Sequence, residues 1–182
     1  MGEYVAVTPR LILRPWRDAD VRRLHNLCLD PRVMEFLGPP QSIDEVKAVI
    51  DRQRAHQQNL RHCFWAIELR ATRNMIGFCG LQPGPKGTPI EGEIEIGWRL
   101  AYDHWGKGYA REAAKASIDW GFANLDIDQI WSITVPANLR SWGLMERLGM
   151  ACRPDLEFDH PRVPDESPLK RHVTYSVARG EW

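Results

Sequence analysis

The sequence predicts an α/β fold: a central mixed sheet of six to seven strands, mostly antiparallel, with helices on both faces. Three observations predict it. Runs of strand length, alternating or apolar throughout, occur at 8–16, 63–68, 75–81, 93–100, 129–136 and 173–177. Apolar residues recur at three- and four-residue spacing between 109 and 125, and capped helical stretches lie between 18 and 58. The resulting order of strands, helix, strand, helix and strand gives a mixed sheet covered on both sides.

Taken in order, T-P-R-L-I-L-R-P-W (8–16) sets Leu11 and Leu13 against Ile12 and ends at a proline, as a first strand does. Asp18 is the expected cap of a short helix running to Leu29, stopped by Asp30-Pro31 because a residue before proline avoids helical angles. Val33 to Leu37 supports one more helical turn before Gly38-Pro39-Pro40. Ser42-Ile43-Asp44-Glu45 is a capping box opening a helix that continues to about Gln58. Cys63–Glu68 and Met75–Leu81 flank the polar Arg70–Asn74 and read as a hairpin, and 83–92 is a Pro/Gly-rich loop. Gln129–Pro136 is rich in β-branched residues. Asn138–Leu148 is a short helix stopped by Gly149 at the C′ position, 151–168 is irregular and proline-rich, and Val173–Val177 closes the sheet.

The chain is organised around residues 91–114. From Glu93 to Leu100 the two glutamates alternate with Ile94, Ile96, Trp98 and Leu100, a strand pattern, and from Tyr109 the period becomes helical. Between them lies W-G-K-G-Y-A (105–110), which places two glycines at the mouth of a helix. The first N–H groups of a helix lack intrahelical partners and sit at the positive end of its dipole, so this junction suits phosphate oxygens, with Lys107 and Arg111 adding charge. A tight strand-to-helix turn is the alternative reading of the glycine pair alone. Neither a Walker A loop nor the third glycine of a dinucleotide fingerprint is present.

With 182 residues, 43% of them apolar, the chain can bury a core as one domain (1–182, core about 8–178). Basic and acidic residues balance at 24 each, leaving no global footprint for nucleic acid or an anionic membrane. Four scattered cysteines without a C-x-x-C pair read as free buried thiols of a reducing cytoplasm, and neither a signal sequence nor a membrane-spanning run is expected.

The loop His104–Ala110, the strand before it and V-P-A-N-L-R-S-W-G-L-M-E-R-L-G-M (135–150) together resemble the GNAT N-acetyltransferase family, in particular its ribosomal-protein N-terminal acetyltransferase (RimJ/RimL-like) branch. The likeness runs from about Thr8 to about Ala178. It implies acetyl-CoA as cosubstrate, with its pyrophosphate at Trp105, Gly106, Lys107, Gly108, Tyr109 and Ala110. Trp105 stands where the wider family has Gln or Arg. Its pantetheine arm would run beside the backbone of Trp98, Arg99 and Leu100, where two strands splay apart in relatives, and would meet Asn138. No metal is implied.

Acetyl transfer to an amine that arrives protonated calls for a base. Glu93 and Glu95 share a strand face; Glu95 is the stronger candidate, with a structural carboxylate as the alternative. The glutamate that some relatives place five residues before the asparagine is Ile133 here, and the tyrosine that protonates the thiolate in many relatives is Met145. Ser141, one turn after Asn138, is the hydroxyl that could replace it, as in the ribosomal-protein branch; helix capping is its alternative role, as it is for Asn138. His104 adjoins the loop and reads as a solvated or loop-packing residue; Trp98, Trp105 and Trp142 flank the site, although large aromatics are more often core than ligand contacts.

The acceptor implied is a protein or peptide N-terminal amine. A small-molecule amine, such as an aminoglycoside or polyamine, and a non-catalytic acyl-CoA-binding module are the alternatives. The 151–168 segment leaves open a cleft cover or a homodimer contact.

Overall fold

A computed structural model describes residues 4–182. Its strands are β1 (Ala6–Val7), β2 (Leu11–Arg14), β3 (Phe64–Leu69), β4 (Met75–Pro83), β5 (Ile94–Leu100), β6 (Gln129–Thr134), β7 (Ala151–Cys152), β8 (Phe158–Asp159) and β9 (Arg171–Ala178). They pair in the order β1-β2-β3-β4-β5-β6-β9-β7, with β8 also on β9. Every pairing is antiparallel except β5 with β6. Six long strands meet the expectation; the two-residue β1, β7 and β8 lie outside it, too short to show a period.

The helices are α1 (Asp20–Leu29), α2 (Pro31–Met34), α3 (Ile43–Leu60), α4 (Tyr109–Asn124) and α5 (Leu139–Arg147). The capping box at α3 forms as written: Glu45 N–H donates to Ser42 Oγ at 3.3 Å, and Ser42 N–H to Glu45 Oε2 at 2.7 Å. Asp18 does not cap α1. The helix begins at Asp20, whose carboxylate accepts from Arg17 N–H at 2.8 Å and closes a buried ion pair with Arg14 at 2.8 Å. Asp18 instead takes Arg54 at 2.6 Å. The extra turn lies at Pro31–Met34, earlier than 33–37, because Asp30 caps it by accepting from Arg32 N–H. Cys28, Cys63 and Cys79 are buried, whereas Cys152 is exposed on the short edge strand β7.

β5 and β6 run parallel, and α4 makes the crossover that parallel neighbours require. It covers the sheet face carrying Cys79 and Leu81. At Gly121 an added Cβ would stand 2.5 Å from Leu81 Cδ1, so glycine allows helix and sheet to touch. Helices α1 and α3 cover the opposite face. There β4 and β5 set three residue pairs in register, Gln82 with Glu95, Gly80 with Gly97 and Phe78 with Arg99.

Candidate active site

The loop between β5 and α4 is built to receive an anion. Gly106 and Gly108 stand at φ +71 and +78, the left-handed region that glycine enters without penalty. Gly108 occupies the N-cap position of α4 and offers no side-chain cap. The backbone N–H groups of 106–111 make no hydrogen bond among the described residues. The loop is pinned on both sides: Trp105 Nε1 donates to Leu100 O at 2.8 Å, and Arg10 donates to Lys107 O at 2.8 Å. Arg10 is itself gripped by Glu112 at 2.6 Å, and Thr8 donates to the same carboxylate at 2.6 Å. Burial pushes the Glu112 carboxyl up, but these donors outweigh it and hold it below its ordinary value. Sequence reading missed this brace, since Arg10 and Glu112 are a hundred positions apart.

Beside the loop a cavity of about 810 Å³ opens between β5 and β6. The two strands pair only at Glu95 with Trp131, and Ser132 Oγ reaches Ile96 O at 3.0 Å. Beyond that point they part. The cavity is lined by Glu95, Trp98, Arg99, Leu100, Trp105, Gly106, Gly108, Tyr109, Ala110, Asn138 and Ser141. The structure thus gathers the sequence-predicted residues into one hollow, with one exception. Lys107 does not line it, because the loop turns its side chain outward to solvent while Arg10 holds its carbonyl.

Glu95 stands at the apex of the splay, half-buried. Its Oε2 accepts from Gln82 Nε2 at 3.0 Å; Gln82 Oε1 accepts from Gln53 Nε2 at 3.1 Å; Gln53 Oε1 accepts from Phe64 N–H at 2.8 Å. Burial pushes the Glu95 carboxyl up to about 7, against the pull of the Gln82 hydrogen bond and the charge of Arg162. A carboxylate near neutrality with one oxygen unclaimed has the properties of a general base. Glu93 differs. It is exposed, precedes β5, and accepts from Trp131 Nε1 at 3.2 Å.

On the opposite wall Asn138 caps α5, its Oδ1 accepting from Ser141 N–H at 3.3 Å and its Nδ2 donating to Thr134 Oγ1 at 3.1 Å. One Nδ2 hydrogen remains for a ligand. The cap is therefore Asn138, and Ser141 is a first-turn residue facing the cavity, with no hydrogen bond from its Oγ among the described residues. Met145 is buried at 1% exposure and cannot supply a proton. His104 lines the cavity beside Tyr109, and burial together with Lys107 pushes its pKa down. Trp98 packs against the core. Trp142 is half-buried and donates to Pro136 O at 3.0 Å.

Among the described residues that line the cavity Glu95 is the sole carboxylate, against Arg32, Arg99, Arg111, Arg140 and Arg147. Residues 10–151 match the family described as Acetyltransferase (GNAT) domain. The chain belongs to the GNAT acetyltransferase family. It is 31% identical over 147 residues to Bacillus subtilis (strain 168) YkkB, covering 79% of this chain and 83% of that protein. It is 28% identical over 142 residues to a spermidine N(1)-acetyltransferase of Vibrio cholerae, covering 77% and 78%. Among solved structures, an acetyltransferase from Agrobacterium tumefaciens superposes with TM-score 0.76 at 30% identity, over 96% of this chain and 94% of that one. RimL, a ribosomal L7/L12 alpha-N-protein acetyltransferase in complex with coenzyme A, superposes with TM-score 0.78 over 97% and 98%; at 16% identity it shares the fold.

The chain is accordingly an acetyl-CoA-dependent N-acetyltransferase. The glycine loop with its open N–H groups, Arg111 beside it and the parted β5 and β6 fit a long pyrophosphate-bearing cosubstrate. No helix among the described residues is long and apolar enough to cross a membrane.

Proposed function

We propose that this GNAT enzyme acetylates a protein or peptide N-terminal amine by direct attack of the amine on the thioester, with Glu95 as base and Ser141 as acid. Acetyl-CoA supplies the activated acetyl group. Glu95 takes the proton of the incoming ammonium on its unclaimed oxygen, directly or through water. Ser141 Oγ stands across the cavity with no hydrogen bond among the described residues; as the C–S bond breaks it gives its proton to the departing sulfur and regains one from the attacking nitrogen, which sheds it as the amide forms. Asn138 Nδ2 and the backbone of Trp98 to Leu100 hold the pantetheine arm, and the loop 105–110 holds the pyrophosphate.

The observation that carries the choice of acceptor is the charge of the cavity wall. A polyamine or aminoglycoside brings several ammonium groups and needs several carboxylates, whereas this wall offers Glu95 alone among five arginines. A peptide amine brings one positive charge to the site. The spermidine-acetylating relative favours the second reading, a small polyamine acceptor, and the same experiment separates them. Free thiol released from acetyl-CoA is followed with peptides of varied N-terminal residue, with polyamines and with aminoglycosides, against an acceptor-free blank. Release with peptides alone supports the proposal. Release with polyamines alone moves the enzyme to the second reading. Acetyl-CoA binding without release for any acceptor favours a non-catalytic module.

A further inference from the structure

The cavity floor has a second polar end. In the β4–β5 register Glu95 and Arg99 lie on the same strand face, four residues apart, or about 13 Å along the strand. The ring of Phe64 fills the space between them, lying on Gly97; a Cβ at Gly97 would stand 2.7 Å from Phe64 Cζ. Phe64 stacks on Phe78 with centroids 5.6 Å apart and planes 12° from parallel. A carboxylate, an aromatic floor and a guanidinium therefore follow one another along the wall.

Arg99 is half-buried and has no counter-ion among the described residues. Its guanidinium lies over the Phe78 ring at 5.4 Å, and Nη1 reaches Cys28 Sγ at 3.2 Å and Gln41 Oε1 at 3.2 Å. Neither partner is charged: Gln41 is an amide, and burial pushes the Cys28 thiol up, keeping it protonated at neutral pH. Nε is buried without a partner, and Nη2 makes no hydrogen bond or ion pair among the described residues. Arg32 and Arg140, on the same wall, are paired with Asp30 at 2.6 Å and Glu35 at 3.9 Å. A guanidinium held out of bulk water without an anion is costly unless a ligand supplies one.

We propose that Arg99 binds a carboxylate carried by the acceptor, an acidic side chain in the first residues of the peptide whose N-terminal amine meets Glu95. This rests on the peptide reading above for the amine, and on Arg99 alone for the acid. The spacing fits that source. In a free amino acid the amine and carboxylate sit on neighbouring carbons, too close together to reach both ends of the floor. The fork of Arg99 recognises a planar carboxylate in a way that a neutral amide does not reproduce.

The test titrates matched tetrapeptide amides, Ser-Glu-Phe-Ala and Ser-Phe-Glu-Ala against their Gln counterparts, into the protein loaded with coenzyme A, with free phenylalanine as a further arm. A charge-assisted pair predicts roughly tenfold or more tighter binding of one Glu peptide over its Gln partner, and loss of that preference in Arg99→Gln. Gln41→Glu, which offers Arg99 an internal carboxylate without removing it, is a second variant and should also erase the preference. Equal affinity for Glu and Gln peptides, a preference that survives both substitutions, or tightest binding of the free amino acid overturns the inference. Because the readout is binding, a chain unable to transfer acetyl can still pass. Conversely, an enzyme that acetylates peptides without Glu/Gln discrimination fails this inference alone.

Discussion

Gln82 donates to Glu95 Oε2 at 3.0 Å, and the direction of that bond is fixed from the backbone. Phe64 N–H can only donate, so Gln53 must turn Oε1 to it and Nε2 to Gln82, which then presents Nε2 to Glu95. Oε2 is thereby held as an acceptor. A proton arriving at Glu95 goes to Oε1.

This arrangement sets the pH dependence. Burial holds the Glu95 carboxyl up at about 7, and the base acts only when ionised. We expect kcat/KM to fall tenfold per pH unit below about 7 and to level above it. Glu95→Gln should lower kcat/KM by roughly 10²–10⁴-fold. The stability effect has the opposite sign. A carboxyl whose pKa is raised on folding favours the fold while protonated and loses that contribution as pH rises through about 7. Glu95→Gln should therefore be more stable than wild type at pH 8 by about 1 kcal/mol, after discounting for water at a half-buried group, and melt higher. The gap should close toward pH 5. Thermal melts across pH check it, and an unchanged gap would contradict the burial argument.

Gln82→Leu removes the donor that pulls the Glu95 carboxyl down. The acid limb of the kcat/KM profile should move to higher pH, with activity at pH 7 falling several-fold and activity at pH 9 falling less. A profile displaced downward without a shift along the pH axis would mean that Gln82 acts only as packing.

Much of this was legible in the sequence wherever cause and effect are neighbours. The Ser42–Glu45 box, the hairpin around Arg70–Asn74 and the glycine mouth of α4 each depend on residues within one turn. What could not be read depends on distant partners. Asp18 looked like a cap because Ser, Asp or Asn before a helix usually is one, yet Arg14, buried between Asp20 and Glu68, drew the start of the helix to Asp20. Gln53, Gln82 and Phe64 carry no local pattern; their meaning comes from a register that pairs β3, β4 and β5. Gly97 carries no signal of its own within the alternating run 93–100, and is the space under the ring of Phe64.

Ser141 lines the cavity with no hydrogen bond from its Oγ among the described residues, while Met145, at the position of the usual acid, is buried and aprotic. Ser141→Ala should reduce kcat by roughly 10²-fold and leave the Kd for acetyl-CoA within about twofold, a positioned acid being worth that much to the chemical step. Since Asn138 provides the cap of α5, the alanine should not lower the melting temperature by the amount a lost cap would. Equilibrium binding and single-turnover rates on the same preparations separate the two effects. Unchanged turnover would remove Ser141 from the mechanism.

Gly106 and Gly108 allow backbone strain to be distinguished from loss of the brace. Both have left-handed φ, so alanine at either costs about 1 kcal/mol of backbone strain. Their surroundings differ. A Cβ at Gly106 meets nothing within 4 Å, whereas at Gly108 it stands 3.3 Å from Arg10 Nη2, the side chain that ties Lys107 O to Glu112. Gly108→Ala should displace Arg10 and loosen the N–H cradle at the start of α4, raising the KM for acetyl-CoA by roughly tenfold, if about one good hydrogen bond to phosphate is lost. Gly106→Ala should lower stability by a similar amount with a smaller change in KM. Arg10→Ala should reproduce the KM effect of Gly108→Ala without its strain, and the double variant should be no worse in KM than Gly108→Ala alone, because both remove the same brace. Additive KM effects would show that Arg10 and Gly108 act on the cosubstrate separately.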